Sequence, residues 1–133
     1  MAGEGILVVD DNPANGKLVR FLLTKRGYDV RVAMDAPEAL SLLETFQPQL
    51  ILMDLQLPGM DGLELTRRLK AQDRTRDIPI IAVTAYAMKG DEQKARAAGC
   101  DGYVTKPIDT HALPVVVNEH IARSSRLRGG DAT

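Results

Sequence analysis

Five residues able to do chemistry stand at or just past the ends of short apolar runs. Asp10 and Asp11 follow Ile6 to Val9, Asp54 follows Leu50 to Met53, Thr84 follows Ile80 to Val83, and Lys106 comes shortly after the weaker run Tyr103 to Val104. Continuous apolar runs suggest strands buried on both faces. Laid side by side, they bring three carboxylates to one edge. Asp10 or Asp11 alone reads equally well as a helix cap. Three converging carboxylates differ, because their mutual repulsion is costly unless a cation occupies the site. With oxygen ligands only and no His or Cys nearby, the expected ion is Mg2+, held by few protein ligands and keeping several waters. Such an ion has open positions for a phosphate. Asp54, central in the sheet, is placed to attack phosphorus and become an aspartyl phosphate. Phosphoryl transfer needs positioning and charge neutralisation more than acid-base chemistry, and Thr84 offers a hydroxyl while Lys106 offers a compact cation. Pro107 after Lys106 raises the chance of a cis peptide that aims the amine inward. The reading requires the Asp54 carboxylate to be open to solvent.

The elements that must position these groups are legible in the spacing. Val30 and Val32 alternate as a second strand, and Ala36, Ala39, Leu40 and Leu43 recur with a helical period. Leu113, Val116, Val117, His120 and Ile121 recur in nearly the same way. Asn12, Asp35 and Asp61 sit at N-cap positions, Asp35 and Asp61 each with a Glu three residues on, and Gly27 and Gly99 sit at left-handed C-caps. The order is β-α five times over. The expected fold is α/β, a doubly wound (βα)5 flavodoxin-like unit with a five-stranded parallel sheet in order 2-1-3-4-5. Ligands then bind at the carboxyl ends of the strands. Two residues fit poorly. Gly16 weakens the first helix by about 1 kcal/mol, and Pro114 either disrupts the last helix or marks its first turn. His111 and His120 read as a capping-turn residue and a core-edge residue.

The chain has 133 residues, 17 basic and 18 acidic, for a net charge of −1. Near-neutrality disfavours a sequence-independent nucleic-acid binder, which needs a cationic excess to displace phosphate counterions. Aromatics make up 4% of the chain with no Trp, leaving little for base stacking. The single Cys100 excludes an internal disulfide or thiolate-rich metal site. The first residues carry no signal pattern and no apolar run approaches a membrane span, so a cytoplasmic protein without membrane or nucleic-acid partners is expected. Residues 1–123 are expected to form one folded unit, followed by a disordered tail, 124–133, carrying Arg126 and Arg128.

Val-Val-Asp-Asp-Asn at 8 to 12, Asp54, Thr-Ala-Tyr-Ala-Met at 84 to 88 and Tyr-Val-Thr-Lys-Pro at 103 to 107 together resemble a CheY-like response-regulator receiver domain. The resemblance spans about residues 5 to 122. Asp11 to Asn15 and Ala87 to Glu92 are most similar to stand-alone cell-division regulators of the DivK kind and to receivers of hybrid histidine kinases. It implies Asp54 as phospho-acceptor, and Asp11, Asp54 and the Gln56 carbonyl as Mg2+ ligands with Asp10 acting through a water. It further implies Lys106 bridging to the acyl phosphate, and Thr84 with Tyr103 as the switch, Tyr103 turning inward as Thr84 moves.

The added charge of a phosphoryl group can shift a two-state surface formed by helix 4, strand 5 and helix 5. Helix 4, from Lys89 to Ala98, has only Met88, Ala95 and Ala98 as an apolar stripe. Gln56 and Tyr86 flank the path of an attacking water, Gln56 as an orienter and Tyr86 as a shield. The sequence does not rank these two opposing effects on the phosphoryl lifetime. The implied partners are a histidine kinase or histidine phosphotransfer protein, docking near Ala14, Asn15 and Leu18, and a downstream protein target, with the chain a monomer or weak dimer. One alternative is a receiver excised from a hybrid kinase. Another is a haloacid-dehalogenase-type phosphatase, disfavoured because position 56 is Gln where that chemistry places a second acid. No phosphate-binding or dinucleotide-binding glycine loop follows the first strand.

Overall fold

The computed structural model describes residues 3–57, 59–85 and 90–132, with side chains described as far as Arg123. Five strands, β1 (Gly5–Val9), β2 (Asp29–Ala33), β3 (Leu50–Asp54), β4 (Ile80–Thr84) and β5 (Gly102–Thr105), alternate with five helices. The helices are α1 (Pro13–Thr24), α2 (Ala36–Leu43), α3 (Gly62–Lys70), α4 (Asp91–Ala98) and α5 (Ala112–Ala132). The strands form one parallel sheet in the order β2-β1-β3-β4-β5, as the alternation of elements predicts.

Because the three central strands, β1, β3 and β4, are buried along their whole length and almost wholly apolar, successive side chains feed two cores. Leu7, Val9, Ile51, Met53, Ile80 and Ala82 pack with Ala39, Leu43, Leu65, Leu69 and Ala95 from α2, α3 and α4. On the opposite face Ile6, Val8, Leu50, Leu52, Ile81 and Val83 pack with Val19, Leu23, Leu113, Val117 and Ile121 from α1 and α5. Burial of this kind is the main term stabilising the fold.

Caps fix where the helices begin. Asn12 accepts the backbone N–H of Ala14 at 2.9 Å, with Pro13 opening the helix where its missing N–H is harmless. Asp35 accepts from the Glu38 N–H at 2.9 Å, and Asp61 from the Glu64 N–H at 2.8 Å. The reciprocal half of each predicted capping box is replaced. Glu38 takes the N–H of Met34 at 2.6 Å, one residue earlier, and Glu64 turns to Arg67 and Arg68.

Both sequence oddities have structural reasons. A Cβ on Gly16 would lie 3.1 Å from Cγ1 of Val32, so the glycine lets α1 lie close against β2. Pro114 is the third residue of α5, within the first turn, where backbone N–H groups lack intrahelical partners. Asp109 closes that end by accepting from the N–H groups of His111 and Ala112 at 2.9 and 3.0 Å. The helix is therefore regular and starts one residue before Leu113. Its backbone stays helical to Ala132, past the point where the sequence suggests an irregular tail. No proline interrupts residues 115–132, and a nucleated helix gains one hydrogen bond per added residue.

At the sheet end away from the acids, Lys70 donates to the carbonyls of Arg76 and Ile78 at 3.1 and 2.8 Å and to Asp101 at 3.0 Å. The same Asp101 oxygen accepts the N–H of Ile80 at 2.9 Å. This bolt ties α3, the start of β4 and the α4–β5 turn together.

Candidate functional site

Sheet register assembles the site. Val9 is paired with Met53, so Asp10, the next residue, comes level with Asp54, while Asp54 is paired with Val83 beside Thr84. Thr84 is paired in turn with Thr105, which brings Lys106 to the same edge. The Lys106 N–H donates to the Thr84 carbonyl at 2.8 Å, extending this pairing beyond the strand, and the Lys106–Pro107 peptide is cis.

Carboxylate oxygens of Asp10, Asp11 and Asp54 all lie within 4.8 Å of one another, with Asp10 and Asp54 buried and Asp11 exposed. The Lys106 amine lies 3.2 Å from Oδ2 of Asp54 and 3.4 Å from Oδ2 of Asp10. Each buried acid also receives a local backbone donor: the Asn12 N–H gives to Oδ1 of Asp10 at 2.8 Å, and the Gln56 N–H to Oδ1 of Asp54 at 2.9 Å. Burial pushes the Asp54 carboxyl above the usual carboxylate range, with the Asp10 charge adding to the rise, while the Gln56 N–H and Lys106 oppose it. Burial alone would lower the Lys106 amine, but the Asp10 and Asp54 charges outweigh it and hold Lys106 more firmly protonated than an ordinary lysine. Among the described residues one ammonium, in contact with Asp10 and Asp54, serves three carboxylates, leaving the cluster under-neutralised. Beneath Asp10 and Asp54 lies a narrow apolar cavity lined by Val8, Val19, Leu52, Val83, Ile108 and Leu113.

All the sequence-predicted residues within the described stretches come together, except Tyr103, which stands one step back on β5. Tyr103 is half-buried against the α2–α4 side of the sheet, and its hydroxyl is held above its usual range by burial and by Asp91 and Glu92 of α4. Tyr86, with Ala87, Met88 and Lys89, lies outside the described residues.

The structure corrects the required solvent opening at Asp54: its side chain is only 3% exposed, because Gln56 and Lys106 occupy its two oxygens. The cluster meets solvent through the exposed Asp11 instead, so an open Asp54 was too strict a condition for the reading. Two features escape sequence reasoning. The Gln56 side chain donates to the Thr84 hydroxyl at 2.9 Å. Gly62, the first residue of α3, sits where a Cβ would collide with the carbonyl oxygen of Asp54 and approach Cα of Leu55 to 2.8 Å. The sequence position of Gly62 just after the Asp61 cap was the one available hint.

The fold and this cluster have clear counterparts. Residues 6–118 match the response regulator receiver domain family, and the chain belongs to it. It is 49% identical over 105 residues to the polar-differentiation response regulator DivK of Brucella anthropi, covering 79% of this chain and 85% of that protein. Among solved structures, a CheY-like receiver domain protein from Methanospirillum hungatei superposes with a TM-score of 0.86 at 30% identity, covering 94% of this chain and 98% of that one. The receiver domain of the sensor histidine kinase PA1611 from Pseudomonas aeruginosa, solved with a magnesium ion in its active-site cleft, gives a TM-score of 0.83 at 37% identity, over 91% of this chain and 99% of that one. The chain is therefore a phosphorelay receiver, a signalling domain rather than a conventional enzyme, and a haloacid-dehalogenase-type phosphatase is not favoured. Among the described residues no helix is long and apolar enough to cross a membrane.

Proposed function

We infer that Asp54 is the residue that takes the phosphoryl group. An Asp54 oxygen attacks phosphorus of a phosphohistidine on a histidine kinase or histidine phosphotransfer protein, and the P–N bond breaks with imidazole leaving. The observation that carries this reading is the convergence of the Asp10, Asp11 and Asp54 oxygens within 4.8 Å, with the Lys106 amine 3.2 Å from Asp54.

The donor set suits Mg2+: all-oxygen, anionic in excess of its one ammonium, and open on the Asp11 side. Asp11, Asp54 and the Gln56 carbonyl would hold the ion and Asp10 would act through a water. When bound, it neutralises charge on the phosphoryl oxygens and orients them. Lys106 turns from the free carboxylate to the acyl phosphate. The Thr84 hydroxyl donates to a phosphoryl oxygen, and Tyr103 moves inward with it, altering the α4–β5–α5 face read by a downstream protein. α4 suits this role because only Ala95 and Ala98 anchor it in the core. Ala14, Asn15 and Leu18 of α1 line the docking side for the phosphodonor, and Gln56 with Tyr86 sets how long the phosphoryl group survives. The functional unit is residues 1–123, with 124–133 an appendage, in a cytoplasmic protein that is monomeric or weakly dimeric.

Mass spectrometry after incubation with acetyl phosphate and Mg2+ tests the assignment. A gain of one phosphoryl group, absent in Asp54→Ala, is expected. A gain that survives in Asp54→Ala overturns it.

A further inference from the structure

The resting site is closed at Asp54 and Thr84, while Asp11 stays exposed. Oδ1 of Asp54 accepts from the Gln56 N–H, Oδ2 faces the Lys106 amine, and Thr84 is 1% exposed although it ends its strand at the ligand edge. The Gln56 side chain contributes to that closure, with Nε2 donating to Oγ1 of Thr84 at 2.9 Å. Gln56 itself is exposed, so its side chain can swing into water at little packing cost, unlike the buried groups it touches.

Resting on the reading of Asp54 as phospho-acceptor and Thr84 as its partner, we propose that the Gln56 side chain is a resting-state latch on Thr84, which an incoming phosphoryl group must displace. Gln56 follows Asp54 by two residues, and its backbone N–H lies on the Asp54 carboxylate while its side chain reaches Thr84. Gln56 as a whole therefore bridges acceptor and switch hydroxyl, its backbone on Asp54 and its carboxamide on Thr84, beside the place a phosphoryl group on Asp54 enters. Reaching the phosphoryl oxygen, Thr84 leaves Gln56. Thr84 accepts from Gln56 but donates to the phosphoryl oxygen, so the two bonds do not compete for the same proton or lone pair. The latch acts by holding Oγ1 in its resting place, and the bond lost when Oγ1 moves raises the threshold for switching without blocking it.

The test is a double-mutant cycle read by binding of beryllofluoride, an acyl-phosphate mimic, at saturating Mg2+. Gln56→Met keeps the side-chain length and leaves the backbone N–H and carbonyl of residue 56 in place, but removes the donor. Binding is expected to tighten about five-fold, the size of one net hydrogen bond, with no tightening when the same change is made in Thr84→Ala. The Gln56 side-chain amide resonances in 1H–15N spectra of the uncomplexed protein should move in Thr84→Ala and on beryllofluoride addition. Unchanged or weaker binding in Gln56→Met, or equal tightening in both backgrounds, overturns the latch. Loss of beryllofluoride binding by wild-type protein, or its persistence in Asp54→Ala, instead overturns the underlying assignment of Asp54.

Discussion

Substituting Gly62 by alanine should destabilise the protein through the very contact that seats α3 against the end of β3. A Cβ there meets the carbonyl oxygen of Asp54, and Cα of Leu55 at 2.8 Å, both main-chain atoms that cannot rotate aside. Overpacking a tight site costs about 1–3 kcal/mol, and opposition from backbone places Gly62→Ala at the upper end. Against this, alanine recovers up to about 1 kcal/mol of helix propensity. The net loss is about 2 kcal/mol, which for a domain of this size lowers the unfolding midpoint by about 8 °C. Gly16→Ala supplies the internal control. Its Cβ meets a Val32 methyl at 3.1 Å, a side-chain atom able to yield, and the same propensity gain offsets the crowding. Thermal and urea unfolding of both variants, with m-values compared to confirm an unchanged transition, gives the answer. The reasoning fails if Gly62→Ala melts within about 2 °C of wild type, or if Gly16→Ala falls as far.

Two further outcomes are expected. Without divalent ions, Asp54→Asn should raise the unfolding midpoint by about 2–5 °C, since burial and Asp10 make the ionised carboxyl costly; calorimetry showing a lowered midpoint contradicts the under-neutralised cluster. His120 lies on α5 close over Gly102, and burial, then Arg123, lower its imidazole below the ordinary 6.5, with Arg96 adding to this and Asp101 and Glu119 opposing. Its unfolded form binds the proton first, so stability should decline as pH falls below 6.5. His120→Gln should flatten that part of a stability-against-pH curve measured by urea titration.

The acidic edge was legible because strand ends are legible. Asp10, Asp54 and Thr84 each close an uninterrupted apolar run, and parallel pairing of such runs leaves little choice about where their termini meet. Asn12, Asp35 and Asp61 announced their helices for a local reason, each side chain reaching an N–H two or three residues on. What escaped depended on distance in space. Nothing in the string says that the Gln56 carboxamide reaches Thr84, 28 residues away, or that the Asp54 carboxylate is covered by two neighbours. Gly16 and Pro114 looked like defects because propensity ignores the strand packed against one and the first-turn position of the other.

The Lys70–Asp101 bolt makes α4 a lever with its fulcrum at the rear. Gly99, at φ 114°, ends the helix directly against the Lys70 stem, and Asp101 is held by Lys70 and Ile80 two residues later. At the front, Gly90 gives the first turn no side-chain cap. On the proposed reading of Thr84 as the switch, a displacement passed to α4 meets its firmest hold at the trailing end, so a protein that reads the phosphorylated form is expected to gain most by gripping the leading turn near Asp91 and Glu92.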